Sequence, residues 1–169
     1  MNIFVLDNDP QKCAEYHCDK HVVKMILEHA QMMCTAHHLH PNKTVKYEIP
    51  YKQTHVNHPC SKWVRDSLAN YKWLYQMTYH LNEEYKHRFN HDVNHKSFDV
   101  IDNLPLPSLM NVQQTRWARA MPVEYKHDDI IKSYRTYYIN DKVELLKYTK
   151  RDMPTWLTED LTDWENEDD

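Results

Sequence analysis

The residues best suited to chemistry gather at His55-Val56-Asn57-His58-Pro59-Cys60, with Trp63 and Arg65 close behind. His58-Pro59 reads as a helix start, where outward-pointing backbone N–H groups favour an anion. Arg65 can hold a phosphate bidentately, and Trp63 and Trp73 offer flat faces to a base. Tyr125-Lys126 and Tyr134-Arg135 repeat this aromatic–cation pairing further along the chain. A single such pair means little, but the repetition suggests a ligand carrying both phosphate and a ring. Cys60 beside His58 could also be read as a nucleophile and its base. No oxyanion-hole motif accompanies them, and a small buried thiol near a helix start is commoner.

Two helical segments add candidates. On a wheel of about 100° per residue, Asp19–His38 carries apolar side chains, Val22, Val23, Leu27 and Met33 among them, over about 220°. A surface helix needs a stripe of about 100°, so this one is expected at the centre. Its narrow polar arc holds Lys20, Lys24, Glu28 and Gln31. That arc is either a solvated face with a weak Lys24–Glu28 pair or a wall presenting ammonium groups to an anion. In the segment Ser67–Asn90, Trp73, Met77 and Leu81 set the core stripe, and Asn70, Glu84 and Arg88 fall within about 60° of it. Glu84 and Arg88 are spaced to pair, either as a structural clamp or as the lining of a cavity.

Thirteen histidines and four cysteines invite a zinc reading, with Cys13, His17, Cys18 and His21 as one group and His55, His58 and Cys60 as another. No C-x-x-C joins a second such pair or an H-x(3–5)-H, so neither metal nor cofactor is expected. The thiols are expected reduced.

The elements that must position these groups read as mainly α: a single domain of about five helices with a short N-terminal strand, Asn2–Leu6. Glycine is absent from all 169 residues, which removes glycine phosphate loops and dinucleotide fingerprints. Asp9-Pro10 opens a short helix to about His17, and Asp19 opens the long one to about His38. Residues 43–55 read as a strand or an ordered loop. Helix resumes at His58-Pro59 with a break near Ser67, a turn or two follows at Ser97–Asn103, and Leu104–Met121 reads as loop. A last helix runs from His127-Asp128-Asp129 to about Tyr148, and Pro154 is expected to end ordered structure soon afterwards. The body is therefore taken as 1–154 and an acidic tail as 155–169. That tail holds seven acidic side chains and no basic one, leaving 21 basic against 18 acidic ahead of it. Such a tail suits a solubilising role, and the basic body suits a polyanionic ligand. The opening MNIFVLDNDP is too short an apolar run for a signal or membrane segment, so the expected setting is cytoplasmic.

The runs CDKHVVKM (Cys18–Met25), AQMMCTAH (Ala30–His37), HVNHPCSKWVRDSLANYKWL (His55–Leu74), EEYKHRF (Glu83–Phe89), AMPVEYK (Ala120–Lys126) and YRTYY (Tyr134–Tyr138) resemble a family of small helical tailed-bacteriophage proteins. The resemblance runs nearly to Pro154-Thr155-Trp156 and departs at Thr115-Arg116-Trp117-Ala118, where a Thr-Pro-Phe-Ala type run is expected. It implies relatives, and a host cytoplasm during infection, without supplying a mechanism.

The reading these observations favour is a protein that binds a nucleotide, or a nucleotide-derived ligand, in a cationic aromatic pocket. Capture of a host nucleotide immune signal is one setting for it. Lys20, Lys24, Arg65, Arg88 and Arg135 are the anion candidates, with Lys126 beside them. Trp63, Trp73 and Tyr125 are the stacking candidates, and Gln31, His58, Asn70 and Glu84 the polar ones. Nucleic acid is a possible partner. The second reading is an enzyme on nucleotides or DNA bases, glycosylase- or transferase-like, with Glu84 or His58 as acid–base. The third is a host-protein interaction factor without a small ligand.

Overall fold

The computed structural model describes residues 1–159. It is mainly α: α1 (Pro10–Glu15), α2 (Asp19–Leu39), α3 (Pro59–Asp66), α4 (Leu68–Phe89), α5 (Lys96–Asp102) and α6 (Ile130–Asp141), with 3₁₀ turns at Val123–Tyr125 and Val143–Leu145. No described helix is long and apolar enough to cross a membrane.

Most boundaries follow from local chemistry. Asp9 caps α1 by accepting from the N–H groups of Gln11 and Lys12, with Pro10 at the first helical position. Ser67, in extended conformation, both ends α3 and caps α4 through the Asn70 N–H at 3.0 Å, which is the expected break. Without glycine, α4 stops on Asn90 in the left-handed region at φ 54°, a conformation Asn tolerates better than most residues. Residues 43–55 are irregular.

Three expectations need correction. Asn2–Leu6 is buried but forms no strand. Its backbone is satisfied by side chains instead: the Cys13 thiol donates to the Phe4 carbonyl, and Arg135 Nε donates to that of Leu6 at 2.9 Å. The last helix ends at Asp141 rather than Tyr148, because the chain must cross the start of α2. There the Lys147 carbonyl accepts from the Asp19 N–H at 2.8 Å, and Asp19 accepts from the Thr149 N–H and hydroxyl. Order also continues past Pro154. Residues 155–159 make a helical turn in which Leu157 is fully buried and Trp156 packs on Tyr16 and Tyr138. The rest of the acidic tail lies outside the described residues.

Arg88 pins these parts together. Its side chain is buried and donates to Glu84 Oε2 at 2.7 Å, Asp19 Oδ1 at 3.2 Å, and the carbonyls of His17 and Glu15 at 2.7 and 2.9 Å. Glu84 also accepts from Arg151. A buried charge survives when it is well hydrogen-bonded, and here each guanidinium nitrogen finds an acceptor in α1, α2, α4 or the turn between α1 and α2, while Arg151 of the C-terminal segment holds Glu84 from the other side.

Candidate active site

Helix α2 departs from its wheel in an informative way. Val23 and Leu27, expected inside, are 38 % and 40 % exposed, while Glu28 is only 9 % exposed. Glu28 does not pair with Lys24. Its Oε1 lies 3.0 Å from the α-amino nitrogen of Met1, and the two side chains are 11 % and 3 % exposed. A partly exposed amine and a largely buried carboxylate thus meet at the start of the chain.

The segment after Met1 fixes that amine. Ile3, Phe4, Val5 and Leu6 are all buried, and Phe4 stacks on His21 of α2 at 4.6 Å. Asn2 donates from Nδ2 to the Ala120 carbonyl at 2.8 Å, while its Oδ1 accepts from the Ile3 N–H at 2.8 Å and the Tyr134 hydroxyl at 3.4 Å. The single Tyr134 hydroxyl proton is shared with the Ala118 carbonyl, the nearer of its two acceptors at 2.6 Å. The AMPVEYK region, far away in sequence, is therefore the clamp that holds the chain's first residues.

Helix α3 supplies the third side. His58 is its N-cap, accepting from the Cys60 N–H at 3.1 Å through Nδ1, so the neutral ring carries its proton on Nε2. Burial lowers the basicity of His58. The positive amine and His55 lower it further, and Glu28 opposes them. Burial pushes the Cys60 thiol up to about 11, which leaves it protonated and a poor nucleophile near neutral pH.

Of the residues proposed from sequence as ligand-binding, His58 belongs to this constellation, with Cys60, whose thiol donates to Asn2 Oδ1 at 3.6 Å, beside it. The five cations do not converge. Lys20 and Lys24 are exposed on a groove with Lys147, whereas Arg88 is buried in the clamp described above. Arg65 donates to the Val56 carbonyl at 2.7 Å and braces the loop before α3. Arg135 binds the Leu6 carbonyl and Asp7, with its guanidinium over Tyr16 and Trp156.

The tryptophans serve one another. Trp63 meets Trp73 edge to face at 6.1 Å and Trp117 in a stack at 6.4 Å, and their indole N–H groups reach backbone carbonyls: Trp63 to Thr115, Trp73 to Asn8. Asn70 is likewise occupied, holding the Trp63 carbonyl and Thr115. Glu84 has both oxygens on arginines, so it is placed as part of a clamp rather than as a proton-transfer group. Tyr125 donates to Asp141 and packs on Tyr137, and its neighbour Lys126 is exposed, as Gln31 is in part. Among the described residues, no group of three or more His, Cys, Asp or Glu is arranged to hold a metal ion.

Sequence reasoning missed the amine, Glu28 and Asn2. One signal is present in the sequence: an acid on an otherwise apolar central helix needs a cation, and Lys24, one turn earlier, is only one of the candidates.

Compared with known proteins, residues 1–97, more than half of the chain, match the family described as pyrimidine dimer DNA glycosylase. The matched stretch includes Met1, Asn2, Glu28, His58 and Cys60. No curated protein and no solved structure matches.

Proposed function

Because the chain belongs to the pyrimidine dimer DNA glycosylase family, we propose that it cleaves the bond between a damaged pyrimidine and its deoxyribose, with the Met1 amine as nucleophile and Glu28 as acid–base. The observation that carries this reading is the α-amine 3.0 Å from the largely buried Glu28 carboxylate. An amine is a strong nucleophile once it loses its proton, and a carboxylate in hydrogen-bond contact can accept that proton. The nitrogen lone pair forms a bond to C1′ as the C1′–base bond breaks. The bonding electrons leave with the base, which takes up a proton. When the sugar ring opens, the adduct is an imine. A target atom inside a duplex is out of reach of such a site, so the nucleotide under attack must leave the stack.

Sequestration of a nucleotide has less support, since among the described residues Lys20 and Lys24 share a groove while Trp63 and Trp73 pack on each other away from it. A host-protein interaction role has no observation in its favour.

The test is incubation with a duplex carrying one cyclobutane pyrimidine dimer in the presence of borohydride, which reduces an imine to a stable amine. The expected product is a covalent protein–DNA adduct that peptide mapping places on the Met1 peptide. Placing an alanine ahead of Met1 displaces the amine by about 3.8 Å and should abolish trapping. An adduct on a lysine, or base release that the extra alanine leaves intact, sinks the amine's role. No base release from dimer-containing DNA sinks the reading.

A further inference from the structure

The exposed face of α2 leads away from Glu28 toward a groove of about 610 Å³ lined by Asp19, Lys20, Val23, Lys24, Phe89 and Lys147. We propose that this groove carries the DNA backbone beside the reacting nucleotide, with the three lysines on phosphates. The inference deepens the glycosylase reading and rests on it.

Charge is the first argument. Lys20, Lys24 and Lys147 are exposed, and none forms an ion pair among the described residues. The one acid on the rim, Asp19, is already occupied by Arg88 and by the Thr149 N–H and hydroxyl. The groove therefore presents three uncompensated ammonium groups, which suits a polyanion and disfavours a basic partner.

Register is the second argument. At about 1.5 Å rise per residue, Lys24 and Lys20 stand about 6 and 12 Å along α2 from Glu28. Lys24 and Lys20 are one and two turns before Glu28 on the same side of the helix, and the outward-turned Val23 and Leu27 flank that line. A strand whose nucleotide enters the amine site would thus run along the lysines with the apolar pair at its side, and the long lysine stems let the charges follow the phosphates. Phosphate contacts of this kind set register on the duplex without reading sequence.

The decisive measurement is the salt dependence of binding to a short duplex bearing one cyclobutane pyrimidine dimer, read by fluorescence anisotropy. It compares the unmodified protein with Lys20→Gln/Lys24→Gln/Lys147→Gln and with the same three positions changed to Arg. Each lost phosphate contact removes about 0.9 from the slope of log affinity against log salt. The Gln variant should lose roughly 2 to 3 from that slope and bind at least about tenfold more weakly at moderate salt. The Arg variant should keep the slope. Single-turnover base release should need at least about tenfold more protein for half-saturation in the Gln variant and no more than the unmodified protein in the Arg variant. An unchanged slope in the Gln variant overturns the groove, whatever else it binds, and leaves base release standing. A normal slope change in a protein that releases no base overturns the glycosylase reading and keeps the groove as a DNA surface.

Discussion

Two ion pairs in this molecule are built from similar parts and are left in different states. At Glu84–Arg88 each nitrogen of the guanidinium has a partner and both carboxylate oxygens hold arginines. At Met1–Glu28 the amine meets one carboxylate oxygen, and the neighbours His58 and Cys60 sense the charges without neutralising them. A charge engaged on every side can only hold structure. One with capacity left can exchange its partner for a substrate, which is what a reacting group needs. The clamp ties together α1, α2, α4 and the C-terminal segment, and the amine pair sits where the first residue meets α2 and α3.

The same substitution in both pairs breaks or sharpens this contrast. Glu28→Gln should lower single-turnover base release by about 10²- to 10⁴-fold, the range for losing a positioned acid–base group. Its thermal midpoint should move by no more than a few degrees, since Met1 is partly exposed and water can solvate the amine left behind, whereas the Arg88 side chain is fully buried. Glu84→Gln should do the reverse. Leaving Arg88 and Arg151 under-compensated should cost on the order of 3–5 kcal/mol and lower the midpoint by roughly 10 °C, with base release per folded molecule retained. Calorimetry and borohydride trapping on both variants decide it. If Glu84→Gln destroys release while melting normally, the two pairs have been assigned the wrong way round.

Much of the scaffold was legible because hydropathy and capping act locally. Trp73, Met77 and Leu81 repeat at helical spacing, Ser67 and Asn90 mark the ends of α4, and the structure buries that stripe as expected. The site was less legible for two physical reasons. Hydropathy assigns helix faces by apolarity, yet α2 buries His21, Glu28, Thr35 and His37 while turning Val23 and Leu27 outward. The other half of the site is a backbone nitrogen, which no residue type announces. Asn2–Leu6 misled in a related way. Its apolar run shows burial, but a strand also needs a partner strand, and the Cys13 and Arg135 side chains took that place.

A smaller effect tests how the amine is held. Asn2→Ala removes the bond to the Ala120 carbonyl and an acceptor shared by the Ile3 N–H and the Tyr134 hydroxyl. Losing these buried partners should cost about 1–3 kcal/mol. Because the clamp sets the amine's position, trapping should slow by more than the melt suggests, on the order of tenfold or greater, as small misplacements of reacting groups do. Equal loss of folded fraction and trapping would mean that Asn2 only supports the fold.

The smallest effect concerns His58 and pH. Its ring caps α3 by accepting at Nδ1, and burial first, then the amine and His55, hold its pKa below the ordinary value near 6.5, with Glu28 pulling the other way. A base with a depressed folded pKa adds stability that is fully present above its unfolded value. That contribution is lost as pH falls from there through the folded value. The incoming proton lands on Nδ1 and ends its role as acceptor, so the cap, worth about 1 kcal/mol, goes with it. His58→Asn keeps a strong N-cap and removes the titration. The two proteins should therefore melt alike near pH 8, and the unmodified protein should fall behind the variant by about 1 kcal/mol between pH 7 and 5. The other buried histidines titrate in both proteins and cancel in the difference. Parallel stability curves across that range would show that His58 keeps its proton state and that the cap lies outside any acid response at the amine site.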